Sequence, residues 1–221
     1  MPRLLALDSS TEACSVALLD GDVVIERYVE APREHMLRLL PMVDELLAER
    51  GLTLRDLDAI AFARGPGSFT GLRICIGVVQ GLAFGAQLPV IPVSTLAALA
   101  QTGAHRVPAG THILSAIDAR MDEVYWGWFE KQADGLVRSI NDEQLTAPEQ
   151  VHSQSDAVHR IGVGSGWCYR PRLGDAGLAT IDATVLPRAS AVIALALSIW
   201  SAGGAVDVEQ ALPVYLRDKV V

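Results

Sequence analysis

Leu4-Leu5-Ala6-Leu7-Asp8 is a short apolar run that stops on a carboxylate, and Leu114-Ser115-Ala116-Ile117-Asp118 does the same in the second half of the chain. The first run continues through the polar turn Ser9-Ser10-Thr11, a second run from Cys14 to Leu19, the signal Asp20-Gly21-Asp22 and a third run from Val23 to Val29. Asp-Gly between apolar runs predicts a tight hairpin, because glycine accepts a left-handed backbone without a Cβ clash. The second run continues through Glu123 to Phe129 and Gly135 to Ile140. Each half later has a strand leading into a glycine loop. In the first half, Asp58 to Ala63 precedes Gly65-Pro66-Gly67-Ser68-Phe69-Thr70-Gly71. In the second, Arg160 to Gly164 runs into Gly162-Val163-Gly164-Ser165-Gly166. The repetition predicts an α/β protein of two similar mixed-sheet domains facing one another across a cleft. The breaker-rich loop Thr102-Gly103 to Pro108-Ala109-Gly110 divides it into residues 1–103 and 104–221. Such a duplication does not by itself imply a function.

Five helices fit between and after these strands. Glu34 to Arg50 has apolar residues at Met36, Leu39, Leu40, Val43, Leu46 and Leu47, with Leu37 and Met42 as a flanking stripe, and ends at Gly51. One stripe suffices for a surface helix, so two imply deep burial or one face on the sheet and one on a partner. Pro41 is expected to kink it, since its ring clashes with the carbonyl four residues back. A second helix runs from about Thr70 to Gly85, with Gly77, Gly81 and Gly85 every fourth residue. Each glycine costs about 1 kcal/mol of helix propensity, so the spacing implies close approach of another backbone, either this protein's own sheet or another chain. Val90 to Val93 is a strand, Ser94 to Gln101 a third helix, and Ala189 to Ser201 a fourth; a further helix is expected after Pro148.

The chain has 221 residues, half of them apolar and a fifth charged, with a formal net charge of −8. That is a globular composition with enough length for a well-buried core. An acidic chain repels phosphate backbones and is a poor unaided nucleic-acid binder; the pairs Arg33/Arg38 and Arg170/Arg172 read as solvated surface arginines. Three scattered cysteines, Cys14, Cys75 and Cys168, suggest a reducing compartment without structural zinc. The N-terminus lacks an export-signal pattern. The apolar stretches 71–93 and 189–200 read as core helices of a soluble protein rather than bilayer spans, because the first is interrupted by Arg73, Gln80, Gln87 and Pro89 and the second is too short.

The first glycine loop fits neither standard phosphate-binding pattern. A dinucleotide-binding turn needs glycines at its first, third and sixth positions, and Thr70 holds the sixth; a P-loop ends in Gly-Lys-Ser/Thr, and here Leu72 follows Gly71. Amides at a helix N-terminus still offer an anion site, while Ser68 or Thr70 equally serves as an N-cap. Asp8 and Asp118 end strands, where aspartate holds Mg²⁺ in nucleotide sites or simply starts a turn. Arg120 lies close enough to Asp118 to satisfy it. No two of His35, His105, His112, His152 and His159 share a helical metal spacing, and no nucleophile elbow is present.

Leu7-Asp8-Ser9-Ser10-Thr11, Arg64 to Arg73, Ile117 to Tyr125 and Tyr215-Leu216-Arg217 together resemble the bacterial TsaB (YeaZ) family over essentially the whole chain. The resemblance implies an actin-like ATPase (ASKHA) fold and a cytoplasmic protein without membrane contact. It also implies a non-catalytic subunit in the formation of N6-threonylcarbamoyladenosine at position 37 of tRNAs reading codons that start with A. The implied partners are the catalytic paralogue TsaD, as a heterodimer, and the ATPase TsaE. tRNA would be met only through the complex, and a homodimer is expected when the chain is alone. The family's TsaD contact is a bundle of the first two helices, which points here to Leu39, Met42, Leu46, Thr70, Ile74, Gly77 and Gly81. Asp8, Ser9, Ser10, Gly67, Ser68 and Asp118 are left as a weak nucleotide or anion site. The resemblance implies no cofactor for the chain by itself, and ATP with Mg²⁺ only within the complex. Thr95 and Leu99 stand where the catalytic paralogue has the metal pair of an H-x-x-x-H motif, and Ser10 stands where actin-like ATPases place glycine. The competing reading is an independent small-molecule kinase of the same fold, or a metalloprotease.

Overall fold

The computed structural model describes residues 1–152, 159–173 and 177–217. The first unit comprises Met1–Ala98 and Pro187–Val214. It contains β1 (Leu4–Asp8), β2 (Ala13–Asp20), β3 (Val23–Glu30), α1 (His35–Arg50), β4 (Ala59–Ala63), α2 (Phe69–Ala86) and β5 (Val90–Val93). Helix α3 (Thr95–Gly103) carries the chain out of this unit. The strands form one sheet in the order β3-β2-β1-β4-β5, antiparallel through the hairpins and parallel from β1 to β5. The expected hairpin is present: Asp20 pairs with Val23 across a two-residue loop in which Gly21 is left-handed. Gly51 closes α1 with φ +64 and donates to the Ala48 and Leu47 carbonyls. Helix α1 runs unbroken through Pro41, which lies on its exposed side.

Alternation along the strands divides the sheet into two faces. Leu5, Leu7, Cys14, Val16, Leu18, Ile60 and Phe62 share one core with Leu39, Val43 and Leu46 of α1 and Cys75, Ile76 and Val79 of α2. The other face offers small side chains such as Ala6, Ser15, Ala17 and Ala61, all fully buried. Helix α5 (Ala189–Ser201) packs on β1, β2, β4 and β5. Its first amides are satisfied by the sheet: Ser15 Oγ accepts from the Ala189 N–H at 2.9 Å and Glu26 Oε1 from the Ser190 N–H at 2.9 Å. A carboxylate at a helix N-terminus also meets the positive end of the helix dipole. Glu26 Oε2 accepts from Arg188 Nε at 2.9 Å, and that guanidinium lies 4.1 Å from the Tyr28 ring centre.

The second unit comprises Leu99–Leu186 and residues 215–217 of the tail. It contains β6 (His112–Arg120), β7 (Glu123–Lys131), β8 (Val137–Ser139), β9 (Gln144–Thr146), β10 (Arg160–Val163), α4 (Arg170–Leu173) and β11 (Thr180–Asp182). Its sheet order, β11-β10-β6-β7-β8, repeats that of the first unit read from the other edge, with β9 pairing β7 off the path. Both sheets thus pair their opening strand antiparallel with the next and parallel with a later one. The two similar mixed-sheet α/β domains read from the sequence are therefore present. Trp126, Trp128 and Trp167 anchor the second core with Leu114, Val124 and Leu173.

Three expectations about the second half are revised. The structure places the boundary between Ala98 and Leu99, and α5 belongs to the first unit rather than to residues 104–221, because its apolar surface covers the small-residue face of the first sheet. After Pro148 the described residues show only the 3₁₀ turn Pro148–Gln150, and the rest of the expected helix falls partly on residues 153–158, outside the described residues. Strands β9 and β11 and helix α4 were not foreseen.

The Glu26 contacts predict a measurable cost. Glu26→Ala removes the acceptor for a helix-terminal amide and strands Arg188, and should destabilise the chain by about 2 kcal/mol. Urea denaturation checks this, and a loss below about 0.5 kcal/mol, the usual range for surface changes, would show the pair to be dispensable.

Candidate functional site

The glycine loop closes directly onto the turn after β1. Ser68 N–H donates to the Ser10 carbonyl at 2.7 Å, and the Ser9 hydroxyl donates to the Gly71 carbonyl at 2.9 Å. A Cβ on Gly67 would lie 2.4 Å from the Ser10 carbonyl oxygen, and one on Gly71 only 2.0 Å from that of Ser9. These glycines are therefore required by backbone-to-backbone contact. That contact joins the two loops by direct hydrogen bonds. Ser68 is the N-cap, its Oγ accepting from the Gly71 N–H at 3.2 Å, while Thr70 is exposed in the first turn. The donors that would hold an anion at this terminus are in part spent on the protein itself.

Asp8 is 1% exposed at the floor of this arrangement. Its Oδ1 accepts from the Ser10 amide at 2.8 Å and the Ser10 hydroxyl at 2.6 Å, while Oδ2 is buried without a partner. Burial raises its pKa to about 6, against the lowering effect of the Ser10 bonds. Asp118, in the second unit, is satisfied as the sequence suggested. It accepts from the Arg120 amide and guanidinium, each at 2.8 Å, and from the Tyr169 hydroxyl at 3.3 Å. Asp8, Ser9, Ser10, Gly67 and Ser68 are brought together within the first unit. Thr95 is spent on the loop, its Oγ1 accepting from the Gly65 N–H at 3.2 Å, and Leu99 is fully buried.

Helices α1 and α2 pack on one another, and both pack on the first sheet. Leu39 and Leu46 are fully buried in that core, which corrects their assignment as partner contacts. Met42 and Ile74 are half-buried and pack against the same core. The exposed apolar residues of α1 are Met36 (72% exposed), Leu37 (71%) and Leu40. A signal for this was present: the row Met36-Leu40 continues into Asp44 and Ala48, whereas the row Leu39-Val43 continues into Leu46 and Leu47. On α2, Thr70, Gly77 and Gly81 are exposed, and Phe84, one position before Gly85, is 77% exposed. A Cβ added at Gly77, Gly81 or Gly85 would meet nothing within 4 Å. The spacing therefore does not serve packing on this protein's own sheet. Helix α2 is long and apolar enough to cross a bilayer by length and composition alone, but its Leu72, Cys75, Ile76, Val79 and Ala83 are buried in the first unit.

Residues 29–160 match the family model described as TsaD: tRNA N6-adenosine threonylcarbamoyltransferase. The chain is 46% identical over 222 residues to the tRNA threonylcarbamoyladenosine biosynthesis protein TsaB of Escherichia coli K12, covering 99% of this chain and 96% of that protein. The solved structure described as YeaZ from Pseudomonas aeruginosa superposes with a TM-score of 0.93 at 51% identity, covering 98% of this chain and all of that one. A second solved structure from Pseudomonas aeruginosa, described as a protein with similarity to peptidase YEAZ, matches with the same values. Among the described residues no group of three or more His, Cys, Asp or Glu side chains is placed to hold a metal ion.

The buried carboxylate and the loop contact each give an expected outcome. Because Asp8 has a pKa of about 6 when folded and 3.8 as the reference, the folded chain holds this proton more tightly than the unfolded chain. Its contribution to stability is full below about pH 4 and is lost as pH rises through 6, by about 3 kcal/mol in all. Asp8→Asn should flatten the stability profile between pH 4 and 6, read by denaturant unfolding across that range; an unchanged slope would count against the assignment. Gly71→Ala should cost about 3 kcal/mol or more through forced displacement of the loop, seen as a lower thermal midpoint.

Proposed function

We propose, from the premise that this chain belongs to the TsaB (YeaZ) family, that it acts in tRNA threonylcarbamoyladenosine biosynthesis as a non-catalytic subunit docking the TsaD transferase through α1 and α2. The observation that carries this reading is the glycine row of α2. Three glycines on a solvent face cost about 3 kcal/mol of helix propensity together, and among the described residues no contact at their Cβ positions repays that. A helix face bare of side chains at Gly77 and Gly81, with Met36, Leu37 and Leu40 exposed on α1 and Phe84 exposed on α2, suits a partner helix whose backbone comes close. Apolar side chains of this size left exposed on one protein surface mark an interaction site.

The rest of the reading follows from the same features. With the glycine loop shut on Ser9 and Ser10, the chain by itself binds no nucleotide tightly, and ATP with Mg²⁺ enters only with the complex. TsaE joins that complex, and tRNA is held by it rather than by this acidic chain. The exposed face pairs with a second copy when TsaD is absent. The protein works in the cytoplasm.

Gly81→Leu tests the reading without disturbing the fold. The new side chain points into open space and improves helix propensity by about 1 kcal/mol, so the thermal midpoint should hold or rise. Affinity for TsaD, measured by calorimetry, should fall at least tenfold, about 1.4 kcal/mol. Unchanged affinity would remove the glycine face from the interface.

A further inference from the structure

Two segments that the sequence singled out, residues 117–125 and the Tyr215-Leu216-Arg217 ending, take no part in the glycine loop or the α1–α2 face. The structure brings them together within the second unit. β6 and β7 close at the pair Arg120–Glu123, so Met121 and Asp122 form a two-residue hairpin loop, with a register shift between Asp118 and Arg120. Arg120, Met121 and Asp122 have φ of +61°, +54° and +59°. Three successive non-glycine residues in the left-handed region are strained, because each Cβ crowds the following carbonyl. Such a loop normally uses Asn-Gly.

Burial does not account for the conformation, since Met121 is 68% exposed and the Asp122 side chain 74%. Dedicated polar contacts do. Arg217 Nη2 donates to the Ala119 carbonyl at 3.1 Å and to Glu123 Oε2 at 2.5 Å, and Nη1 lies 3.4 Å from the Met121 sulfur. One guanidinium thus touches β6, the loop and β7. Arg172 Nη1 pairs with Asp122 Oδ1 at 3.1 Å, and Asp118 Oδ1 accepts from the Arg120 amide at 2.8 Å. A planar fork suits this simultaneous grip, which a lysine ammonium lacks.

We propose that Arg217 is a positioning residue, a clasp supplied by the C-terminal tail that holds the β6–β7 hairpin in its strained left-handed turn. A strained surface turn persists only where its surroundings over-determine it. The grip on both strands and the loop is that determinant.

Amide hydrogen exchange on the full chain tests the clasp. In Arg217→Ala, exchange of the amides from 118 to 123 should quicken about tenfold or more, the worth of charged hydrogen bonds, while Ile113 to Ile117 and β10 stay protected. Arg217→Lys should not restore protection. In the background Met121→Asn with Asp122→Gly, whose loop residues accept the left-handed region more readily and leave only Arg120 strained, Arg217→Ala should quicken hairpin exchange less than it does in the native sequence. Two results overturn the proposal: unaltered exchange in Arg217→Ala, or protection lost equally through β6 and β10, which would make Arg217 a general support of the fold.

Discussion

The 2.7 Å hydrogen bond from the Ser68 amide to the Ser10 carbonyl, with the Ser9 hydroxyl on the Gly71 carbonyl, joins two backbones that only glycine lets meet. This contact sets where α2 begins. It fixes Ser68 as the cap, turns Leu72, Cys75, Ile76 and Val79 onto the sheet, and so leaves Gly77 and Gly81 outward. It also encloses Asp8, whose second oxygen is left without a partner. A loop of the kind that elsewhere cradles phosphate here serves as a hinge pin for a helix. The buried carboxylate is the cost of that closure, and it is felt as a stability that declines toward neutral pH.

The first unit is consistent from sequence to packing, except on one face. Hairpin, caps and strand alternation all agree with the observed sheet, as expected of a chain that specifies one fold. The exception is the outer surface of α1 and α2, which carries large apolar residues and helix-weakening glycines where solvent would favour the opposite. The rules broken on these two helices are what the proposed partner contact would explain, and membership of the TsaB family sets the chain in tRNA threonylcarbamoyladenosine biosynthesis.

Most of the first unit was legible because its signals are local. Asp20-Gly21-Asp22, Gly51 and the apolar run Leu4 to Leu7 depend on neighbours in the chain. The side of α1 that faces the sheet was not so plain. Leu39 and Leu46 belong to the main apolar stripe, and it is the family resemblance that assigns them to a partner; only the later Asp44 and Ala48 separate their row from that of Met36 and Leu40. The return of α5 to the first sheet was hidden for a different reason: the receiving face is alanine and serine, which carry little apolar signal, and the contact joins residues far apart in sequence. The short elements β9, β11 and α4 have three or four residues each, too few for periodicity to register. The hairpin between Asp118 and Glu123 was legible, but the left-handed conformation at Met121 and Asp122 was not, because its strain is offset by Arg217, nearly a hundred residues away.

The proposed role is that of a subunit that supports a catalyst and is not one itself. Reconstituting threonylcarbamoyl transfer to tRNA from purified components, with each protein omitted in turn, tests it most directly. The expected result is no modified adenosine from this chain without TsaD, and product only when both are present. Modified tRNA formed by this chain in the absence of TsaD would contradict it.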